Sequence, residues 1–438
     1  MRKLFSNKNY FLLFQGSLVS AIGTSLYSFA AGLYVQDLFG EDGGAIYLSL
    51  FMAVSIIIQV VMSPIAGTIA DKLNKVRILY VTDFIRGILF FATLYILTLG
   101  YPKEIIIWIL LGINALASLN QAFFYPASTA CIPEIVGEEL IQQANGANTL
   151  IQSVQTIFGV LAGMFLYEIL GFETAVLINA ISFMFSAVSE MFIRTKLKEK
   201  IETLEKPSFI EDIKFGFKYL VKKNGLLTMM IFSLLLNFSI SPVFSVGIPY
   251  LLRTELNATT YQFGIIEIIF SVTTFASGMI IGGMKLKSLT HTVKRGISLL
   301  TGSFVFTTLI IILVTYNIIG YWIFYGLFAF ANIVLGFSMI YTNVPINTGL
   351  MKAIEPNVRG RVFATIGALA TGAIPVSLIL AGVIIDNTNV AIMSIIFTIL
   401  VTITTILLVS NKKVTRLFED IDENTKRVDA LNQEVEIA

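Results

Sequence analysis

One cysteine, Cys131, and one histidine, His291, are all that 438 residues contain of those two types. A lone cysteine excludes an internal disulfide, and a lone histidine leaves too few ligands for most zinc chemistry. No Gly-x-x-x-x-Gly-Lys-Ser/Thr phosphate loop occurs, so the chain has no evident means of hydrolysing ATP. No nucleophile–base pair can be assembled from these groups, and no long polar stretch exists to fold as a soluble catalytic domain. The chain therefore reads as no enzyme, with no cofactor and no metal. Charge is scarce as well. Asp, Glu, Lys and Arg make up only 13% of the chain, and a formal net charge of +2 gives no reason to expect nucleic acid as a partner.

Apolar residues take the vacated share. They make up 56% of the chain, and the mean hydropathy is +0.82. A soluble chain of this length has no interior large enough to hide them, so the class is polytopic membrane protein. Met1-Arg2-Lys3 before an apolar run imitates a secretory signal, but the run is too long for one, and an uncleaved first helix is expected.

Segments of about 20 mostly apolar residues suit helices crossing a ~30 Å hydrocarbon core. Twelve are expected, at 10–36, 45–69, 77–99, 105–130, 145–167, 173–193, 226–251, 261–284, 296–316, 321–346, 362–385 and 390–410. The long connection falls in the middle. This gives an all-α membrane protein of two six-helix bundles, 1–193 and 226–411, joined by a central loop, 194–225, and followed by a charged tail, 412–438. With the N-terminus in the cytoplasm, only Arg86, Lys103 and Arg253 of the 30 Lys and Arg lie outside cytoplasmic segments. So lopsided a distribution places both termini in the cytoplasm. An offset of 219 residues superposes Pro126 on Pro345, Thr129 on Thr348 and Gly163 on Gly382, in keeping with related halves.

Two polar segments carry a pattern. From Pro207 to Lys223, Phe209, Ile210, Ile213, Phe217, Leu220 and Val221 recur at helical spacing among charges, which predicts an amphipathic helix on the membrane surface. In the tail, Val414, Leu417, Ile421, Val428, Leu431 and Val435 follow three-four spacing. A short coiled coil that mediates association, a surface helix and a frayed end are all compatible with it.

Gly67–Arg77 concentrates Asp71, Lys72, Lys75 and Arg77 between two apolar runs, and is expected in water as a tight turn. Gly67 would permit close backbone approach, and Asp71 would cap a helix end. Charges inside spans are few, costly and usually functional. Asp83 and Arg86 lie one turn apart in the third segment, as a charge pair on a cavity wall or a pair bridging packed helices. Glu267 in the eighth segment has no nearby cation in sequence, and is either a proton-coupling or cation-recognising acid or an interfacial glutamate paired elsewhere. Asp37, Glu168, Glu190 and Asp386 fall at segment ends, where water reaches them, and are assigned structural roles. Gln15, Ser20, Thr24 and Ser28 in the first segment and Asn237, Ser241 and Pro242 in the seventh either line a cavity or pack helices closely. Tyr27, Tyr34, Phe123, Phe124 and Tyr125 either stack on an apolar substrate or pack.

Gly67, Asp71, Lys72, Asn74 and Lys75 resemble the signature loop between helices two and three of the major facilitator superfamily, with Asn74 where glycine is usual. Pro126-Ala127, Ile132-Pro133-Glu134-Ile135-Val136, Ala144-Asn145-Gly146, Asn179 with Ser182-Phe183, Asp212 to Leu220, Phe263-Gly264, and Arg359-Gly360-Arg361-Val362-Phe363 are similar to the branch with macrolide efflux proteins and the enterobactin exporter. The resemblance implies a secondary transporter of a bacterial cell membrane, working by alternating access on a small-molecule substrate near the midplane. It implies proton-coupled efflux of amphipathic, drug-like or macrolide-like compounds, by a monomer in the lipid bilayer. It also makes Gly67, Asp71, Lys72, Lys75 and Arg77, opposed by Arg359 and Arg361, a conformational latch. Siderophore export or lipid flipping by the same fold are the alternatives, and a non-transporting sensor or assembly partner is the alternative of another class. Two antiporter marks are absent: Gly159 is followed by valine where a Gly-Pro pair is common, and Gly112-Ile113-Asn114-Ala115 lacks the membrane arginine of the fourth helix. Arg86 offers a replacement for that charge.

Overall fold

Capping residues divide the apolar chain into rods. The computed structural model describes residues 2–137, 140–194, 209–223, 225–282, 284, 288–355 and 358–423. The stretch 196–206 and the tail positions Val428, Leu431 and Val435 lie outside the described residues. Helix α1 is Lys8–Phe39, capped by Asn7, whose side chain accepts from the backbone N–H groups of Asn9 and Tyr10. Helices α2 (Gly44–Lys72), α3 (Lys75–Thr98) and α4 (Lys103–Val136) follow, α4 opening behind Pro102. The continuous stretch Ile141–Met191 is two helices, because Gly171 at φ 79°, ψ 177° breaks it. We number them α5 (141–170) and α6 (172–191).

Next come the amphipathic helix α7 (Phe209–Lys222) and the long span Leu226–Glu255, numbered α8. Within α8, Val243–Gly247 and Leu251–Glu255 widen to π-helical turns around Pro249, whose ring nitrogen has no hydrogen to donate. Helices α9 (Thr260–Gly282), α10 (Leu289–Thr315) and α11 (Tyr321–Ala353) complete the third quarter. The chain then forms α12 (Arg359–Thr371) and α13 (Ile374–Asn387), which are one span interrupted at Gly372, followed by α14 (Val390–Ser410). A final helix, α15, runs over 412–423.

Among the described residues eleven helices are long and apolar enough to cross a membrane, and the break at Gly171 divides one of these into two of the twelve expected segments. Large apolar side chains such as Trp108, Met279 and Trp322 stay exposed, as they must where lipid is the solvent. Polar side chains mostly satisfy themselves within their helix. Thr24 donates to Ser20 O at 2.7 Å and Asn237 to Ser233 O at 2.9 Å. The proline-matched pair Thr129 and Thr348 each donate four residues back, to Tyr125 O and Val344 O.

The chain groups into two compact units: Met1–Phe209 with Ile248–Ile268, and Ile210–Gly247 with Ile269–Ala438. In the first unit glycines set the spacing of α1 on α6. A Cβ at Gly23 would stand 2.2 Å from Ser182 Oγ, and one at Gly16 2.9 Å from Ser186 Oγ. In the second unit, hydroxyl pairs join α10 to α14, Thr301 with Thr405 at 2.6 Å and Thr308 with Thr398 at 2.5 Å. Interhelical bonds of this kind contribute about 0.6 kcal/mol each in lipid.

The tail departs from expectation. Val414, Leu417 and Ile421, three of the heptad residues, are buried with Phe418 in the unit's own core beside Leu226, Leu289 and Val293. Their apolar stripe is consumed inside the chain, which removes it as a seam for another molecule.

The signature turn is also tighter than the sequence implies. Helix α2 runs to Lys72 and α3 starts at Lys75, leaving Leu73 and Asn74 between them. Asn74 is the cap of α3, accepting from the N–H of Arg77 at 3.1 Å. Asparagine suits that role through its side-chain oxygen, a group glycine lacks. Among the described residues a Cβ at Gly67 would meet nothing within 4 Å.

Candidate functional site

The polar residues of α3, α4 and α6 converge inside the first unit. Asp83 and Arg86, three residues apart on α3, form an ion pair at 0% and 4% side-chain exposure. Nη2 of Arg86 donates to Asp83 Oδ1 and Nη1 donates to the side-chain oxygen of Gln121 on α4. The guanidinium lies between two aromatic faces, with its Cζ 4.7 Å from the Phe124 ring centroid and 4.3 Å from that of Phe183. Cation–π contacts contribute about 0.5–2 kcal/mol, more where water is excluded. The aromatic stack continues through Phe90, 5.7 Å from Phe183, to Tyr27, 4.6 Å from Phe90. Three helices thus hold one arginine.

The second carboxylate there is Glu190. Expected at a water-reached helix end, it is wholly buried, and it feels the charges of both Asp83 and Arg86. The correction has a physical reason. Asn179, Ser182, Ser186 and Glu190 fall at spacings of three, four and four residues, so they share one face of α6. That face is turned inward by the packing of α1 on Ser182 and Ser186. The stripe was the sequence signal, and position at a segment end obscured it.

The cluster is short of partners. Asp83 Oδ2, Arg86 Nε, both Glu190 oxygens, Ser186 Oγ and both polar atoms of Asn179 form no hydrogen bond among the described residues. The Ser186 hydroxyl stands beside both carboxylates without a formed bond. Two carboxylates and one guanidinium thus lie in a site closed to solvent, with the guanidinium paired to Asp83 alone among the described residues. With both carboxylates ionised such a cluster carries one uncompensated negative charge.

Other expected residues are placed differently. Glu267 is half-buried on α9, and no cation pairs with it among the described residues. Gln15 is bound to α6, donating to Ser189 Oγ at 3.0 Å. Thr24, Asn237 and Ser241 are partly buried. Tyr34 stacks on Phe172 at 4.1 Å, and Phe124 is taken by Arg86, so both pack. Lys75 Nζ pairs with Glu134 Oε1 at 2.7 Å, clasping the start of α3 to the end of α4. Arg77 is exposed. The side chains of Asp71, Lys72, Arg359 and Arg361 lie outside the described residues. A further tie escaped the sequence reading. Asp37 at the end of α1 receives Arg253 Nε at 2.7 Å and Nη2 at 2.8 Å, and the Tyr167 hydroxyl at 2.6 Å. Among the described residues no three His, Cys, Asp or Glu side chains converge as a metal site requires.

The family model of the Major Facilitator Superfamily matches residues 13–377. The chain belongs to the Major Facilitator Superfamily. Macrolide efflux protein A of Streptococcus pyogenes is similar to it, 25% identical over 388 residues that cover 87% of this chain and 90% of that protein. Macrolide efflux protein A of Enterococcus faecalis is 26% identical over 345 residues, 77% of this chain and 100% of that protein. The crystal structure of a D-xylose-proton symporter shares the fold, with a TM-score of 0.68 at 13% identity, over 93% of this chain and 98% of that one. This member of the superfamily is a multi-pass membrane transporter of small molecules, not an enzyme.

Proposed function

We propose that the chain exports amphipathic, macrolide-like small molecules from a bacterial cell in exchange for protons, and that the carboxylates of Asp83 and Glu190, beside the fixed charge of Arg86, carry the proton. The observation behind this is the buried charge imbalance of two carboxylates on one guanidinium. With both carboxylates ionised the cluster holds an unneutralised charge, which burial makes costly. One bound proton removes it. Binding and loss of that proton are therefore tied to whether the cluster is sealed or open to water, which is the coupling an exchanger needs. The macrolide efflux relatives support the cargo class. The excess of Lys and Arg at one set of helix ends supports a cytoplasmic placement of both termini.

Within the same reading, Gly67, Asp71, Lys72, Lys75 and Arg77 act with Arg359 and Arg361 as a latch on conformational balance. The Lys75–Glu134 pair supports a clasping role for this loop. Gln15, Thr24, Asn237 and Ser241 remain candidates for the cargo path.

Proteoliposomes with an imposed pH gradient test the coupling. Wild-type protein should accumulate a macrolide until a protonophore collapses the gradient. Glu190→Gln should lose gradient-driven accumulation and keep substrate exchange at zero gradient. Glu267→Gln is the second arm, and coupling lost there with Glu190→Gln unaffected moves the proton to α9. Wild-type transport indifferent to the protonophore overturns antiport altogether.

A further inference from the structure

Helix α7 presents two adjacent faces with different fates. Leu220 is fully buried in the core of the second unit. Tyr219 donates its hydroxyl proton to Glu355, and Lys223 Nζ donates to the carbonyl of Ala353, which anchors the helix at the end of α11. The neighbouring face carries Lys214, Phe217, Lys218, Val221 and Lys222, and it does not close against the protein. It borders a cavity of about 720 Å³ whose far wall is Thr365, Ala368 and Leu369 of α12. Positions 214, 217, 218, 221 and 222 repeat at i, i+3, i+4, i+7 and i+8, as do 365, 368 and 369 at i, i+3 and i+4, so two helical stripes face each other across the space.

The chemistry of that space is divided. Phe217 and Val221 remain 47% and 55% exposed although they are large and apolar. Lys214, Lys218 and Lys222 stand along the same stripe, exposed, and no carboxylate pairs with them among the described residues. An apolar groove edged by three exposed ammonium groups at the mouth of a membrane-spanning helix fits a molecule with an acyl chain and an anionic head. Cargo of neutral or cationic character does not supply the anion, and water does not supply the apolar part. Bacterial membranes present such molecules at the surface where lysine-rich segments gather.

We propose that the groove between α7 and α12 binds an anionic phospholipid. The three lysines meet its phosphate head, and Phe217, Val221, Ala368 and Leu369 take the upper part of an acyl chain. Lipid bound there bridges the surface helix to a membrane-spanning one. The site shares no residue with the buried cluster on α3 and α6, and it does not depend on which cargo is moved.

The full chain in mixed micelles, titrated with phosphatidylglycerol or phosphatidylcholine and read by native mass spectrometry, tests this. A lysine near an anionic lipid surface changes binding by about fivefold. The Lys214→Gln, Lys218→Gln, Lys222→Gln triple variant should therefore lose about a hundredfold in phosphatidylglycerol affinity, with phosphatidylcholine binding unmoved. Val221→Trp, which fills the groove and keeps all three lysines, should also release the lipid. These positions are exposed, and an unchanged melting temperature certifies the fold of each variant. Equal binding of the two lipids by the wild type overturns the proposal, as does a triple variant that keeps its preference. Competitive displacement of phosphatidylglycerol by erythromycin would instead make the groove a cargo pocket, and would equally overturn it.

Discussion

The carboxylate of Asp422 accepts the backbone N–H of Leu289 at 2.8 Å, so the chain's last described helix caps the first turn of α10. The same carboxylate takes the Ser288 hydroxyl at 2.9 Å and the N–H of Thr290 at 3.3 Å. These are the donors that a helix start leaves unsatisfied, and a capping carboxylate contributes about 1 kcal/mol. Behind it, Val414, Leu417, Phe418 and Ile421 fill the core.

The tail should therefore divide sharply under truncation. Ending the chain after residue 423 keeps Asp422 and the apolar residues of α15, and is the reference truncation. Ending it after residue 411 should lower expression and melting temperature strongly, because each large buried apolar side chain removed costs about 2–5 kcal/mol. Asp422→Ala should fall between, losing about 1 kcal/mol. Fluorescence size-exclusion profiles on heating check all three.

Charge balance in the buried cluster gives a second prediction. Arg86→Met leaves two carboxylates with no cation, and breaking a buried pair in this way costs about 3–5 kcal/mol. The single variant should express poorly. Combined with Asp83→Asn and Glu190→Gln it should recover folding, since no charge is left unpaired, and remain without proton-coupled transport. Recovery of coupling in the triple variant would sink the assignment.

Helix spacing gives a third. An alanine at Gly23 places its Cβ 2.2 Å from Ser182 Oγ and 2.8 Å from Ser182 Cβ. Overpacking of this kind costs about 1–3 kcal/mol. Gly23→Ala should lower the melting temperature, and Ser182→Gly should restore it by vacating the contact. Gly67→Ala should leave the melting temperature unchanged, because nothing among the described residues stands within 4 Å of the added carbon.

The anchor of α7 gives the fourth, through pH. The hydrogen bond from Tyr219, then its own backbone N–H and Lys223, hold the Glu355 carboxyl below its ordinary value of 4.5. Its contribution is full above that value and is lost as pH falls through the lower folded one. Burial lowers Lys223, but the bonds and charges of Tyr219 and Glu355 outweigh it and raise the ammonium above its ordinary 10.5. Burial, then the bond to Glu355, raises Tyr219 above 10.0. Both contributions are full below those ordinary values and are lost as pH rises through the folded ones. Hydrogen-exchange protection across 209–222, taken relative to the intrinsic exchange rate at each pH, should therefore be greatest between about pH 5 and 10 and fall at either end. Tyr219→Phe should erase most of the acid-side change.

Much of this protein is legible without coordinates. Runs of about 20 apolar residues dictate spanning helices, because backbone polar groups in lipid must be satisfied within the segment. The Asp83–Arg86 pair is legible for a similar reason, since three residues on a helix is one turn. The amphipathic face over Phe209–Lys222 is read from periodicity alone. Asn74 is a case where the residue type was visible and its task was not, because capping depends on where the preceding helix stops.

The sequence by itself determined the number and character of the helices, the grouping of cations at one set of helix ends, and membership of the superfamily. These follow from composition, order and local spacing along the chain. Tertiary structure alone decided that Glu190 joins Asp83 and Arg86, that Val414, Leu417 and Ile421 are spent in the core of their own unit, and that Asp422 serves α10. Each is a contact between residues more than a hundred positions apart. Only packing, through the glycines of α1 and the apolar face of α15, settles which side of a helix becomes the inside.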